Sequence, residues 1–273
     1  MNFALKSLVA AAAIASIGVA SAATTPVGGS VVLNGNSYTL AGGTGTLSFS
    51  SSLITALNVG KVAVTGVEPA TVTEVLTPRP PFGSTRTGVS AAAPITSVTT
   101  TATGAVTTVA TAGGATMTAN VLEGVSLGGS LSVTNLSVDL TNQRIYASIT
   151  GDFRGAAAGE AAPYGSSVIT TKDNFYLWNF ASITGPTTLT GAGSYANSIS
   201  GLTITQDGFN HFVSALRLVD LGVSTLRNVT DYGTIASTIN VTGGTPAVPE
   251  PSTYALMGLG LAGIAVAARR RAK

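Results

Sequence analysis

Ile145, Ala147 and Ile149 alternate with Tyr146, Ser148 and Thr150, and this strict period of two commits the chain to sheet. Successive strand side chains point to opposite faces, so one set meets a core and the other meets water. The pattern recurs just upstream. Leu131 and Val133 alternate with serines, then Leu136, Val138 and Leu140 alternate with Ser137 and Asp139. The phase slips by one at Thr134-Asn135, which predicts a bulge, and Thr141-Asn142-Gln143 turns the chain. In 44–50, Leu47 and Phe49 oppose Ser48 and Ser50. Val62 and Val64 open another strand that ends near Gly66. Leu202 and Ile204 form a short one, and 234–241 gives the last through Ile235 and Ile239. Helical spacing occurs twice. Ser51 or Ser52 caps a short helix with Leu53, Ile54 and Leu57 on its apolar face. Thr205 caps a second, with Phe209, Phe212, Val213 and Leu216 at i, i+3, i+4 and i+7. The fold class that follows is mainly β: a sandwich-like body over 23–242 with two short helices packed on its edges.

One segment resists this reading. Residues 87–122 carry no charge, and 96–118 hold ten threonines among 23 residues. An exposed low-complexity loop and a set of Thr/Val strands are both compatible with that composition. Ile95, Val98, Val106 and Val109 look too sparse for a deep core, so the stretch 94–118 is expected to be poorly packed strands or a long loop. Pro69 and the Pro78-Arg79-Pro80-Pro81 cluster mark a loop before it, and 155–165 reads as an Ala/Gly/Pro loop after the hairpin.

Charge and cysteine content exclude several functions. Of 13 basic residues, five lie in the two terminal segments, and of 11 acidic residues one does, so the body holds eight against ten and a charge near −2. That gives no case for nucleic acid, whatever the overall isoelectric point. There is no cysteine and only one histidine. Disulfides and a cysteine nucleophile are therefore impossible, and a structural zinc site lacks its ligands.

The two ends carry a different message. Lys6 precedes an apolar run, 8–19, and Ala20-Ser21-Ala22 forms an A-x-A cleavage site, so 1–22 reads as a signal peptide with a signal helix. At the other end, Pro249-Glu250-Pro251 is held extended by its prolines. An uncharged run, 254–268, follows. Arg269, Arg270, Arg271 and Lys273 close the chain as a stop-transfer group. Fifteen residues make a helix of roughly 22 Å, short of a full span but extended by Tyr254 at one interface and snorkelling arginines at the other. We read 254–268 as a transmembrane helix and 243–247 as the linker to it. Basic residues at both ends place the body outside the inner membrane.

In motif, order and spacing, 248–273 resembles the PEP-CTERM sorting signal. The resemblance covers about 26 residues. It implies recognition of Pro249, Glu250 and Pro251 by exosortase, an integral-membrane cysteine protease of exopolysaccharide-producing Gram-negative bacteria. With signal peptidase acting at Ala20 and Ala22, it implies export, transient anchoring in the inner membrane, and release to the cell surface or beyond. It says nothing of what the body does.

Candidate chemistry in the body is sparse. His211 lies roughly 160–200° around the helix from the Phe209/Leu216 stripe, at ~100° per residue, and is expected to face solvent. Without a G-x-S-x-G turn it supports no serine triad. Gly42-Gly43-Thr44-Gly45 lacks the lysine of a phosphate loop. Asp152 and Glu160 flank the Gly/Ala loop, and Asp139, Asp173 and Asp207 sit near strand ends, but no spacing selects a glycosidase pair. Residues 174–180 are apolar enough for a central strand. Alternation puts Tyr176, Trp178 and Phe180 on one face, and with Tyr164 and Phe175 they are the weak candidates for sugar stacking; a strand covered on both sides is the plainer reading. No metal or cofactor is expected. The expectation for function is a non-enzymatic surface or matrix protein of an exopolysaccharide or biofilm layer. The alternatives are a carbohydrate-binding adhesin and a carboxylate-dependent glycoside-active enzyme.

Overall fold

A computed structural model describes residues 22–81, 83–156, 165–246 and 259. Apart from an exposed Ala22, the signal segment 1–22 lies outside these residues, as does the cleavage-site Ala20. Glu160 and Tyr164 also lie outside, as do Pro249, Glu250, Pro251, Arg269, Arg270, Arg271 and Lys273. Of the run 254–268 only Leu259 is described, exposed and in helical conformation. Among the described residues no helix is long and apolar enough to cross a membrane.

In chain order the elements are β1 (Ala23–Pro26), β2 (Ser30–Leu33), β3 (Asn36–Phe49), α1 (Ser51–Val59), β4 (Ala63–Val67), β5 (Thr71–Pro78), β6 (Ser84–Thr100), β7 (Val106–Thr111), β8 (Gly114–Leu122), β9 (Ser126–Asp139), β10 (Arg144–Asp152), β11 (Ile169–Asn179), β12 (Ser182–Thr184), β13 (Gly193–Ser200), β14 (Thr203–Ile204), α2 (Gln206–Ala215), α3 (Asp220–Arg227) and β15 (Gly233–Pro246). The body is thus mainly β and sandwich-like. All pairings are antiparallel, in the order β12-β13-β15-β3-β6-β7-β9-β10-β11-β14. The long β6 joins two layers. Its Ser90–Pro94 part pairs with β3, and its Ile95–Thr100 part pairs with β7. The first layer is β12, β13, β15, β3, β6 and β5; the second runs from β6 through β7, β9 and β10 to β11, with β8 and β4 alongside β9.

Register places both ends of the body together. Pro246 pairs with Asn36 at the start of β3, while Gly233 pairs with Phe49 at its end. Ala23 pairs with Thr100 at the end of β6, which runs antiparallel to β3. The first and last strands therefore leave the sandwich at one end, and α1 begins at the other. The segment 243–247, expected as a linker, stays in the sheet as far as Pro246. Gly243 and Gly244, at φ of 82° and 146°, carry a register shift between Thr242 and Thr245 that lets pairing resume. Glycine is the residue that tolerates those angles.

The Thr-rich stretch is a correction. Residues 94–118 form the end of β6, all of β7 and the start of β8, and Ile95, Val98, Val106 and Val109 are all buried. They are sparse in sequence, yet Leu33, Leu40, Tyr195, Ile239 and Val241 from other strands, with Leu189 from the β12–β13 connection, complete a second core around them. The main core lies beneath the helices and runs from Leu53 of α1 through Ile145, Leu177 and Phe212 to Ile235.

Among the described residues of the body there are three short helices where the periodicity predicted two. Ser50, one residue before the expected cap, caps α1 by accepting from Leu53 N at 3.1 Å. Thr205 caps α2 as expected, accepting from Gly208 N at 3.0 Å. The third, α3, has Val219 at its N-cap with no side-chain bond, so the usual signal for a helix start is missing. The predicted phase slip near Thr134-Asn135 is a register shift in the β9–β10 pairing between Ser137 and Thr134.

Candidate functional site

The aromatic strand β11 carries the weak sugar-stacking candidates, Tyr176, Trp178 and Phe180, on what was expected to be a strand covered on both sides. The register against β10 pairs Trp178 with Ile145 but Tyr176 with Tyr146. Leu177 is therefore an extra residue, and a bulge of this kind re-aims every side chain beyond it. Trp178 turns inward with Leu177, and Phe180 is buried as well. Tyr176 goes the opposite way and stays half-buried. The three do not share a face, because simple alternation fails at the bulge. Tyr176 packs against Tyr146 with centroids 5.4 Å apart, lies under the Arg144 guanidinium at 5.0 Å, and donates its hydroxyl hydrogen bond to Asn179 Oδ1.

Of the carboxylates, Asp152 is the most constrained. It is fully buried at the end of β10. Its Oδ1 accepts from Arg154 Nε at 2.9 Å and its Oδ2 from Arg154 Nη2 at 2.6 Å. The backbone amides of Arg154 and Val168 add two more bonds. These donors outweigh the cost of burial and hold its carboxyl down to about 2. Ser214 of α2 donates to Asp152 O at 2.9 Å. Asp152 is thus an ionised anchor that ties together β10, α2 and the residues on both sides of 157–164. A group so fully engaged is no proton donor at neutral pH. Asp139 accepts from Thr141 N, Asn142 N and Asn142 Nδ2 and organises the β9–β10 turn. Asp173 is exposed on β11, and Asp207 lies in the first turn of α2.

His211 does not face solvent. It is 7% exposed, with its ring 4.8 Å from Phe153 and 4.6 Å from Phe175. The helix is covered on both sides: its apolar stripe meets the main core, and the ends of β10 and β11 cover the opposite flank. Nδ1 donates to Asp207 O at 2.7 Å, and Nε2 is buried without a partner. Burial pushes the pKa below the usual 6.5, and Lys172 adds to the shift against the opposing pull of Asp207. The folded state therefore favours the neutral ring. Its contribution to stability is complete above pH 6.5 and is lost as pH falls through the lower folded value. Urea midpoints are expected to drop between pH 7 and pH 5 for the wild type and to stay level for His211→Phe. Parallel profiles for the two would show that His211 does not carry the effect.

Sequence reasoning missed the Asp152–Arg154–Ser214 anchor and Tyr232. Burial pushes the Tyr232 hydroxyl well above its normal range, and it has no hydrogen-bond partner. An acid and a base two residues apart at a strand end were the available signal for the anchor; nothing local marked Tyr232.

Comparison with known families identifies a PEP-CTERM protein-sorting motif at residues 247–271. It begins immediately after β15 and contains Pro249, Glu250 and Pro251. Comparison with curated proteins gave no match. Among solved structures, the chain is similar to the heme-binding protein HtaB from Corynebacterium glutamicum at 13% identity and a TM-score of 0.37, covering 75% of this chain and 93% of that one. A likeness at that level carries no argument about fold or ligand. The motif implies export, a membrane-anchored C-terminus and exosortase processing.

Proposed function

We propose that the chain is a non-enzymatic cell-surface or extracellular-matrix protein, released through exosortase into an exopolysaccharide or biofilm layer of a Gram-negative bacterium. The observation that carries this is the sorting motif joined directly to a folded sheet. The body suits such a setting. Two of its outward rows are neutral and mostly hydroxyl-bearing: one crosses six strands as Thr71, Ala92, Thr46, Ala236, Ser198 and Thr184, four of them with hydroxyls. In the second layer Thr65, Thr116, Ser132, Thr150 and Thr171 form another, with hydroxyl pairs at 2.6 Å (Thr116–Ser132) and 2.9 Å (Thr150–Thr171). Hydroxyl rows keep a low-charge surface solvated without steering charged partners.

The same rows favour a second reading, a carbohydrate-binding adhesin, since a neutral hydroxyl face matches a hydroxylated polymer. Both readings are tested by incubating the purified full chain with exopolysaccharide from a producing strain. The adhesin predicts retention in the polymer fraction that Thr46→Lys reduces. The matrix reading predicts no release of reducing ends. Reducing ends whose release is abolished by one Asp or Glu substitution would replace both with a glycoside-active enzyme.

A further inference from the structure

Strands β10 and β11 carry an aromatic pair that the core does not use. The bulge at Leu177 turns Trp178 inward beside Ile145 and leaves Tyr176 facing out, opposite Tyr146. Register carries this outward side across the second layer in two rows. One row is Ser97, Ala110, Ser137, Tyr146 and Tyr176; the next is Thr99, Thr108, Asp139, Arg144 and Asn179. All of these residues are exposed or half-buried. Val98, Val109, Val138, Ile145 and Trp178, which lie between the rows in sequence, are buried on the other side. The two tyrosines are the only rings in these rows. The hydroxyl, amide and charged groups around them keep the face wetted, and the core is closed without them. An amphipathic ring pair placed at such a boundary is what a ligand surface uses.

Arg144 fixes the pair in place. It hydrogen-bonds to Tyr146, and its guanidinium lies 5.0 Å from the centre of the Tyr176 ring. The Tyr176 hydroxyl donates to Asn179 Oδ1, and the two rings stand 5.4 Å apart at 37°. Tyr176 is thus pinned from several directions. Tyr146 stands between it and Ser137, whose side chain is too short to cover a phenol ring. A ligand therefore meets a fixed ring beside a guanidinium, which has five N–H donors to share. Asp139 is the neighbour of Arg144 in the same row, and its oxygens already accept from Thr141 N, Asn142 N and Asn142 Nδ2. The two charges cancel, so the face offers hydrogen bonds without a field that would draw in a polyanion. A pyranose matches this chemistry: its C–H face packs on an aromatic ring, and the hydroxyls on its rim accept from the guanidinium. From Tyr176 to Ser97 the row crosses five strands, roughly 19 Å at strand spacing, which gives room for several sugar units in line.

We infer that Tyr146 is the stacking platform of a site for a neutral polysaccharide chain lying across β11, β10, β9, β7 and β6, with Arg144 and Asn179 hydrogen-bonding to its hydroxyls. The inference rests on the adhesin reading and gives it a place. Thr24 of β1 continues the second row beyond Thr99, so the site sits at the end of the sandwich where both termini leave.

The test is a calorimetric titration of the full chain, held in amphipol, with neutral hexasaccharides of different linkage: cellohexaose, laminarihexaose and maltohexaose. At least one is expected to bind saturably. Tyr146→Ala should weaken that binding about tenfold, and Tyr146→Phe, which keeps the ring, should bind like the wild type. Ser137→Arg, whose side chain points outward and lies across the row, should abolish binding without lowering the melting temperature. A galacturonate hexamer should not bind. Failure of all three neutral hexamers, wild-type affinity in Tyr146→Ala, or equal affinity for the galacturonate hexamer would each overturn the site. Retention on exopolysaccharide separates the site from the reading beneath it: loss with Thr46→Lys but not with Tyr146→Ala would overturn the site and leave the adhesin reading intact.

Discussion

Replacing Pro249, Glu250 and Pro251 with alanine is expected to leave the chain inserted but unprocessed, accumulating in the inner membrane slightly larger than the wild-type product. The apolar run 254–268 is untouched by the change, and it is the run that inserts. What is lost is the pair of prolines, whose fixed φ favours the kind of segment a protease binds in its cleft. Deleting residues 269–273 should fail differently. Each guanidinium at the bilayer centre costs about 3 kcal/mol on insertion scales, so the arginines stop the chain from sliding through, and their loss impairs retention. Fractionation with an immunoblot in a host carrying exosortase separates the two outcomes. Identical size and location for the alanine variant and the wild type would reduce the tail to a plain anchor.

Asp152→Asn is expected to be the most damaging conservative change in the body. The carboxylate accepts from the Arg154 side chain and from two backbone amides. An amide in its place puts an NH₂ against donors on one side of the group, and the guanidinium keeps only Ser166 O and solvent. Leaving a buried backbone amide without its acceptor costs about 1–3 kcal/mol, and a domain of this size loses roughly 5 °C of melting temperature for that. Asp139→Asn, in an exposed turn, should cost no more than about 1 kcal/mol and serves as the control. The pH dependence follows from the depressed carboxyl. Its stabilising contribution is complete above 3.8 and disappears as pH falls toward about 2, a window well below that of His211. Equal melting temperatures for the two variants would show that Asp152 is not an anchor.

Local periodicity was enough to read the β class and the β9–β10 hairpin with its bulge, from the period of two, and the Thr205-capped helix, from the period of 3.6, because these depend on neighbours in the chain. What escaped depends on partners far away in sequence. Val98 and Val109 look isolated until Leu40 and Ile239 arrive from other strands. His211 looks solvent-facing until Phe153 and Phe175 close over it. Trp178 and Tyr176 look like neighbours on one face until Leu177 proves to be the bulged residue, and nothing in an apolar run says which residue will be extra. The sorting motif needed none of this, since it is read as extended chain.

Any load applied through the C-terminal tail enters the fold at Pro246 and runs along the axis of β15. From Ile235 to Val241 that strand is gripped on both sides, by β13 and β3. Pulled lengthwise, those bonds are sheared together rather than peeled one by one. Beyond Val241 only β3 holds it, and the Gly243-Gly244 step interrupts even that contact. The last five residues can therefore detach first, and because they already lie extended along the line of pull they free the sorting motif to swing about Val241 rather than lengthen the tether. The end of the sheet behaves as a short swivelling leader in series with a clamp.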